Sequence, residues 1–248
     1  MWKKKVYISD SAQPFRLNRT KIDLFFDCER CFVLDQKFGI KRPFGTPLVM
    51  NNKIVNTLKD ELEICREKKQ IHPQVLENNL NYIPNNFELL NDWKNPFKGV
   101  KYTHKKTNFL LNGTIDDVWI NKETNKLIVV DYKSQSSERE ITTNNYLNGI
   151  FKQGYKMQMD FYVYLLREMG FDVHPDAYFV VCNGDRTVAD FNGLMKFDEY
   201  LIPYEWNTEW IHNEVINMID CMNSNSLPES NKSCKNCAYA AQRAIKEL

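Results

Sequence analysis

Three side chains raise the question of chemistry. Asp116 ends the stretch Gly113-Thr114-Ile115-Asp116, with Asp117 next to it. Asp131 and Lys133 follow the aliphatic run Leu127-Ile128-Val129-Val130. Alternate residues of a strand share a face, so Asp131 and Lys133 point the same way. The link 121–126 is polar and turn-like, which predicts a hairpin between strands at 108–120 and 127–134. Folded about Glu123-Thr124, residues that face each other have numbers adding to 247, and 116 and 131 meet that condition. Asp116 is therefore expected across from Asp131, with Asp117 on the opposite face; a slip of one residue would exchange the two. Two acids and a lysine on one apolar face are costly to bury without a purpose. A divalent cation with oxygen ligands supplies one, because it can acidify water and offset charge on a phosphoester. The lysine can orient that water or offset the developing charge. The plainer alternative is a surface hairpin carrying ordinary salt bridges.

A third acid would complete an ion site, and Glu61 is the candidate. It falls at helical spacing with Ile54, Leu58 and Cys65, in line with the apolar stripe predicted for a helix over 50–67. The alternative is an edge residue reaching solvent. Gln158 and Tyr162 are four apart on an apolar helix predicted over 152–169, so they share a face and could contact a phosphate or base. They could equally satisfy neighbours in the core.

Seven cysteines include two Cys-x-x-Cys pairs, Cys28 with Cys31 and Cys234 with Cys237. Each pair can give two thiolates to one tetrahedral site, which suits zinc or an iron–sulfur cluster. A closed four-cysteine site leaves no open position, so its role would be structural, tying a segment at 20–40 to one at 227–248. Cys65, Cys182 and Cys221 lie on apolar faces and read as core residues.

The elements that must position these groups follow from periodicity. Besides the helices and strands above, a helix is expected over 20–38, stopped by Gly39 and Pro43. Strands are expected at 177–182 and 193–201, and an amphipathic helix over 208–222. Residues 70–107 read as loops with a short helix near Leu89 to Trp93, and 227–248 as a polar tail. The fold class is α/β: a small mixed central sheet flanked by helices, in one domain over 1–248 with a metal-stapled appendage.

Composition bounds the function. Of 248 residues, 43% are hydrophobic, which suits a globular chain with a sizeable core. Lys and Arg number 33 against 32 Asp and Glu, so any nucleic-acid surface must be a local patch. No apolar run is long enough to span a bilayer, and the lysines after Met1 lead into no apolar leader segment, so a cytoplasmic protein with reduced thiols is expected. There is no nucleotide-binding glycine loop and no helicase motif.

At Gly113-x-x-Asp116, Asp131-x-Lys133 and Gln158-x-x-x-Tyr162 the chain resembles the RecB-like branch of the PD-(D/E)XK nucleases. The likeness extends to Asp27-Cys28-Glu29-Arg30-Cys31-Phe32 and to Cys234-x-x-Cys237-Ala238-Tyr239, and so runs along nearly the whole chain in the family's order. Similar proteins include CRISPR-associated RecB-like exonucleases and the nuclease domains of helicase–nuclease repair complexes. The resemblance implies a restriction-endonuclease-like core and cleavage of DNA phosphodiesters, more as an exonuclease than an endonuclease. It implies magnesium or manganese on Asp116 and Asp131, catalytic assistance from Lys133, and DNA placement by Gln158 and Tyr162. It further implies a [4Fe-4S] cluster on the cysteines, where spacing alone favours zinc, and a helicase or other repair or defence protein as partner. The chain departs from the family at Asn56, where many members carry a metal-binding histidine. Either Glu61 replaces that ligand, or the protein is a weakened nuclease that binds nucleic acid or a partner.

Overall fold

The continuous aliphatic run from Leu127 onward forms the middle strand of a sheet, as its burial on both faces requires. In the computed structural model, which describes residues 6–43, 45, 49–84, 86–187, 190 and 192–247, the chain divides into two compact units. Its elements are β1 (Phe15–Asn18), α1 (Arg19–Asp27), α2 (Glu29–Phe38), α3 (Val49–Glu67), α4 (Pro73–Glu77), β2 (Tyr82–Pro84), α5 (Leu90–Lys94), β3 (Val100–Thr103), β4 (Phe109–Gly113), β5 (Asp117–Asn121), β6 (Leu127–Gln135), α6 (Gln153–Glu168), β7 (Asp176–Gly184), β8 (Phe197–Glu205), α7 (Glu209–Asn223) and α8 (Lys235–Glu247). A one-turn 3-10 helix, Ile150–Lys152, precedes α6.

The larger unit, residues 47–100 and 113–208, holds a five-stranded mixed sheet in the order β2-β5-β6-β7-β8. β5 and β6 are antiparallel, pairing Asp117 with Val130, Val118 with Val129 and Trp119 with Ile128, each summing to 247. β6 and β7 are parallel, joined through α6, and β8 returns antiparallel to β7. Residues Ile128, Val130 and Tyr132 of β6 pack in one core with Leu62 of α3, Trp119, Tyr178 and Val180. The alternate residues Val129, Asp131 and Lys133 point to the other face, where Gln158 of α6 meets Asp131 and Lys133. Gly170, with φ of 91°, follows α6 in the left-handed conformation that suits a helix end.

The smaller unit takes residues 1–46, 101–112 and 209–248. Its sheet has the order β1-β4-β3, with β1 and β4 parallel. The segments 20–40 and 227–248 both fall within this unit.

Several expectations change in detail: the strand expected at 193–201 runs Phe197–Glu205, and 70–107 holds α4, β2 and β3 besides the short helix α5. The helix over 20–38 is two helices, because Cys28 takes an extended conformation between them (φ −169°, ψ 108°); its N–H closes α1 on the Leu24 carbonyl and its own carbonyl accepts from Phe32 N–H. The strand over 108–120 is likewise two strands in two sheets, separated at residues 114–116, so Asp116 stands immediately before β5. The polar tail contains α8, none of whose residues is buried. No helix among the described residues is long and apolar enough to cross a membrane.

Candidate active site

Asp131 is fully buried on β6, and both its carboxylate oxygens are engaged. Oδ1 accepts from Gln158 Nε2 at 2.7 Å, and Oδ2 is ion-paired with Lys133. Gln158 also accepts from Lys133 Nζ through Oε1 at 3.1 Å and donates to the Tyr162 hydroxyl at 3.3 Å. Strand alternation puts the acid and the lysine on one face, and the four-residue helical step puts Gln158 and Tyr162 above them. The amide thus spans the ion pair and fixes both side chains.

Asp116 joins this group through the backbone. Its Oδ2 accepts from the N–H of Tyr132, the residue between Asp131 and Lys133, at 3.1 Å. Its Oδ1 accepts from Lys59 Nζ of α3 at 2.6 Å, in a pair whose side chains are 21% and 29% exposed. Asp117 goes the other way, as the register requires. It is buried against Arg66 of α3 and accepts from the Tyr132 hydroxyl at 2.7 Å and from the Val118 N–H at 2.7 Å. Burial opposes charge on Arg66, but Asp117 and Glu63 outweigh it and hold the guanidinium above its ordinary pKa.

The structure brings Asp116, Asp131, Lys133, Gln158 and Tyr162 into one connected network; Glu61 is not part of it. Its side chain is 51% exposed and lies 3.4 Å from His72 Nε2. The buried stripe of α3 runs through Leu58, Leu62 and Arg66, which turns Glu61 onto the flank of the helix away from Lys59. The expectation that Glu61 points toward the core fails because a charged residue, Arg66, occupies the stripe in order to reach Asp117.

Carboxylate oxygens are the donors that magnesium and manganese take, so Asp116 and Asp131 fit a hard divalent cation chemically. Among the described residues, the one group of three or more His, Cys, Asp or Glu side chains with all ligand atoms within 4.8 Å is Cys28, Cys31, Cys234 and Cys237. A cation on the two aspartates would therefore take most of its shell from water and substrate, which is magnesium's habit.

The four cysteines converge in the smaller unit. Sγ separations are 3.8 Å for Cys28–Cys237, 3.7 Å for Cys31–Cys234 and 3.4 Å for Cys31–Cys237. The extended backbone at Cys28 and the start of α8 supply the two ends. Arg42 donates to Cys234 Sγ at 3.2 Å, offsetting the charge that thiolates bring. Burial opposes ionisation of Cys28, but the backbone amides of Asn231 and Cys31 and the neighbouring thiols bring its pKa down to about 7.

Sequence reasoning missed Lys59, Tyr155 and Lys152. Lys133 Nζ stands 4.5 Å from the Tyr155 ring centroid and Lys152 Nζ 4.7 Å from the same ring. For Tyr155 the signal was present, since Tyr155, Gln158 and Tyr162 follow the i, i+3, i+7 rhythm of one helix face.

A family model for the PD-(D/E)XK nuclease superfamily matches residues 51–242. No curated protein matches the chain. Among solved structures, the crystal structure of SSO0001 is similar with a TM-score of 0.43 at 15% identity, over 94% of this chain and 88% of that one. With the match to the family model extending over most of its length, the chain belongs to the PD-(D/E)XK nuclease superfamily.

Proposed function

We propose that this protein is a metal-dependent deoxyribonuclease of the RecB-like branch, acting as an exonuclease in DNA repair, recombination or defence. The observation that carries the reading is the burial of Asp131 between Lys133 and Gln158, with Asp116 bonded to the intervening Tyr132 amide. We assign magnesium or manganese to Asp116 and Asp131 and leave Glu61 out of the set. The chemistry such an ion supplies when bound is a more acidic water and neutralisation of charge on the phosphodiester. Gln158 holds Asp131 and Lys133 in place, so neither must reorganise when substrate arrives. Lys133 is stationed to donate to the attacked phosphate. Tyr162 anchors Gln158 from one turn further along α6.

The test is cleavage of single- and double-stranded DNA with added magnesium or manganese by the wild type, Asp131→Asn and Lys133→Gln. Loss of about 100-fold or more in each variant, in protein that still unfolds cooperatively above the assay temperature, supports the reading. Wild-type rates in both variants overturn it.

A second reading, a nuclease-fold protein that binds nucleic acid without cutting it, is favoured by Lys59. Its ammonium sits on Asp116 and competes with any cation for that oxygen. Manganese calorimetry separates the two. Binding that disappears in Asp116→Asn supports the enzyme, and no binding supports the binder.

For the cysteines we propose one tetrahedral zinc ion. Four ligands at about 2.3 Å from one ion lie about 3.8 Å apart, close to the separations here. A cubane cluster spreads its cysteines more widely.

A further inference from the structure

The row that begins with Asp131 and Lys133 continues to Gln135, the next residue on the same face of β6. Gln135 accepts from Lys152 Nζ at 2.8 Å. Lys152 in turn stands 4.1 Å from the centroid of Tyr146 and 4.7 Å from that of Tyr155, the ring it shares with Lys133. The reactive row therefore leads out of the carboxylate network into a cavity of about 430 Å³, lined by Gln135, Ser137, Arg139, Tyr146, Phe151 and Lys152 among others.

Three features of this cavity point to a ligand. Tyr146 is 5% exposed, and its buried hydroxyl meets no hydrogen-bond partner among the described residues, an arrangement that is costly unless something else supplies one. Its lining holds two cations, Arg139 and Lys152, and one acid, Glu140. Phe151 of the lining is 91% exposed and Ile150, before it in sequence, 81%, although large apolar side chains side by side are normally covered. An aromatic platform, cations and an unmatched hydroxyl within one volume are what an unpaired nucleotide uses: its base stacks, its phosphate meets the cations, and its polar edge takes the hydroxyl. The volume lies within the range of small-ligand pockets, about 300–1,000 Å³.

We infer that this cavity is a subsite for one unpaired nucleotide of a single-stranded DNA, next to the phosphodiester that Lys133 faces, with Phe151 as its stacking platform. The inference deepens the proposed nuclease function and rests on it for the identity of the strand. It makes single-stranded DNA, or a frayed end, the form that enters the site.

The experiment uses the full chain with a chelator of divalent cations present, so that binding is read without cleavage. Fluorescence anisotropy of a labelled oligothymidylate and of a blunt duplex of equal length is measured for the wild type, Phe151→Ala, Lys152→Gln and Tyr146→Phe. Phe151 is exposed, so its replacement leaves the fold intact. Loss of one stacked base costs about 1–3 kcal/mol, so Phe151→Ala weakens single-strand binding about tenfold or more. Lys152→Gln weakens it similarly, Tyr146→Phe weakens it less, and duplex binding changes little. Single-strand affinities within twofold of wild type for both Phe151→Ala and Lys152→Gln overturn the subsite, as do equal losses for the duplex. Cleavage by Asp131→Asn is measured alongside. If that variant is inactive while the subsite variants bind normally, the subsite is wrong and the nuclease stands. If it cuts normally while Phe151→Ala loses the strand, the catalytic reading is wrong and the subsite stands.

Discussion

Gly113 and Tyr162 are in contact: a Cβ at position 113 would lie 2.6 Å from Tyr162 Cε1 and 3.0 Å from its Cδ1. The glycine of the Gly113-x-x-Asp116 motif therefore seats the tyrosine of Gln158-x-x-x-Tyr162. Gly113→Ala pushes the ring away, and with it the Gln158 amide that spans Asp131 and Lys133. Overpacking of this kind costs about 1–3 kcal/mol. The expected result is a lower denaturation midpoint and a cleavage rate reduced more than stability alone explains. Gly113→Ala combined with Tyr162→Leu recovers part of the stability but not the rate. Full activity in Gly113→Ala would show that the ring position does not matter.

Asp117 sits beside Asp116 in sequence but belongs to a different job. Its carboxylate is 1% exposed and balances the buried Arg66. Removing one partner of such a pair leaves an uncompensated charge and costs about 3–5 kcal/mol. Asp117→Ala is expected to lower the unfolding temperature strongly. Asp116→Ala, at a partly exposed site, moves it much less while abolishing cleavage. Equal stability losses would mean that the two aspartates share one role.

Lys152 gives stability a pH dependence of known sign. Burial, with Lys133 nearby, lowers its pKa from 10.5 to about 8. Between those values the unfolded chain binds more protons than the folded one, so this group's contribution to stability rises with pH. The cost of the charged side chain is fully present below about pH 8 and is gone near 10.5. Denaturant titrations of wild type and Lys152→Met are therefore expected to converge as pH rises through that window. A stability difference independent of pH would mean that Lys152 titrates normally.

The cysteine site is tested by removing its ion. A chelator, or Cys234→Ser, is expected to release one equivalent of zinc and to destabilise the smaller unit, whose α8 contributes no buried residue of its own. A broad visible absorption band in the purified protein would instead assign an iron–sulfur cluster.

The fold and site were legible in the sequence to different depths. Leu127 to Val130 declared a buried strand, and the pairing that sums to 247 fixed which aspartate faces which side. That worked because strand alternation leaves two choices and burial selects one. Glu61 was misread because hydropathy cannot see a buried ion pair: Arg66 looks like a surface residue until Asp117 is placed beside it. α8 was missed because it buries no residue, so no core-facing stripe announced it. Lys59 and Lys152 were invisible for a related reason, since a lysine's partner is chosen by tertiary structure and its own sequence neighbours say little.

The cysteine staple also has a consequence for the order of events during synthesis. Cys31 and Cys234 are 203 residues apart. At about 5–20 residues per second, the early pair waits roughly 10–40 s for its partners. The larger unit ends at Thr208 and is fully translated before the second pair exists. The nascent chain can thus assemble the strands of its larger unit while two thiols stand open, and the later arrival of Cys234 and Cys237 closes the smaller unit.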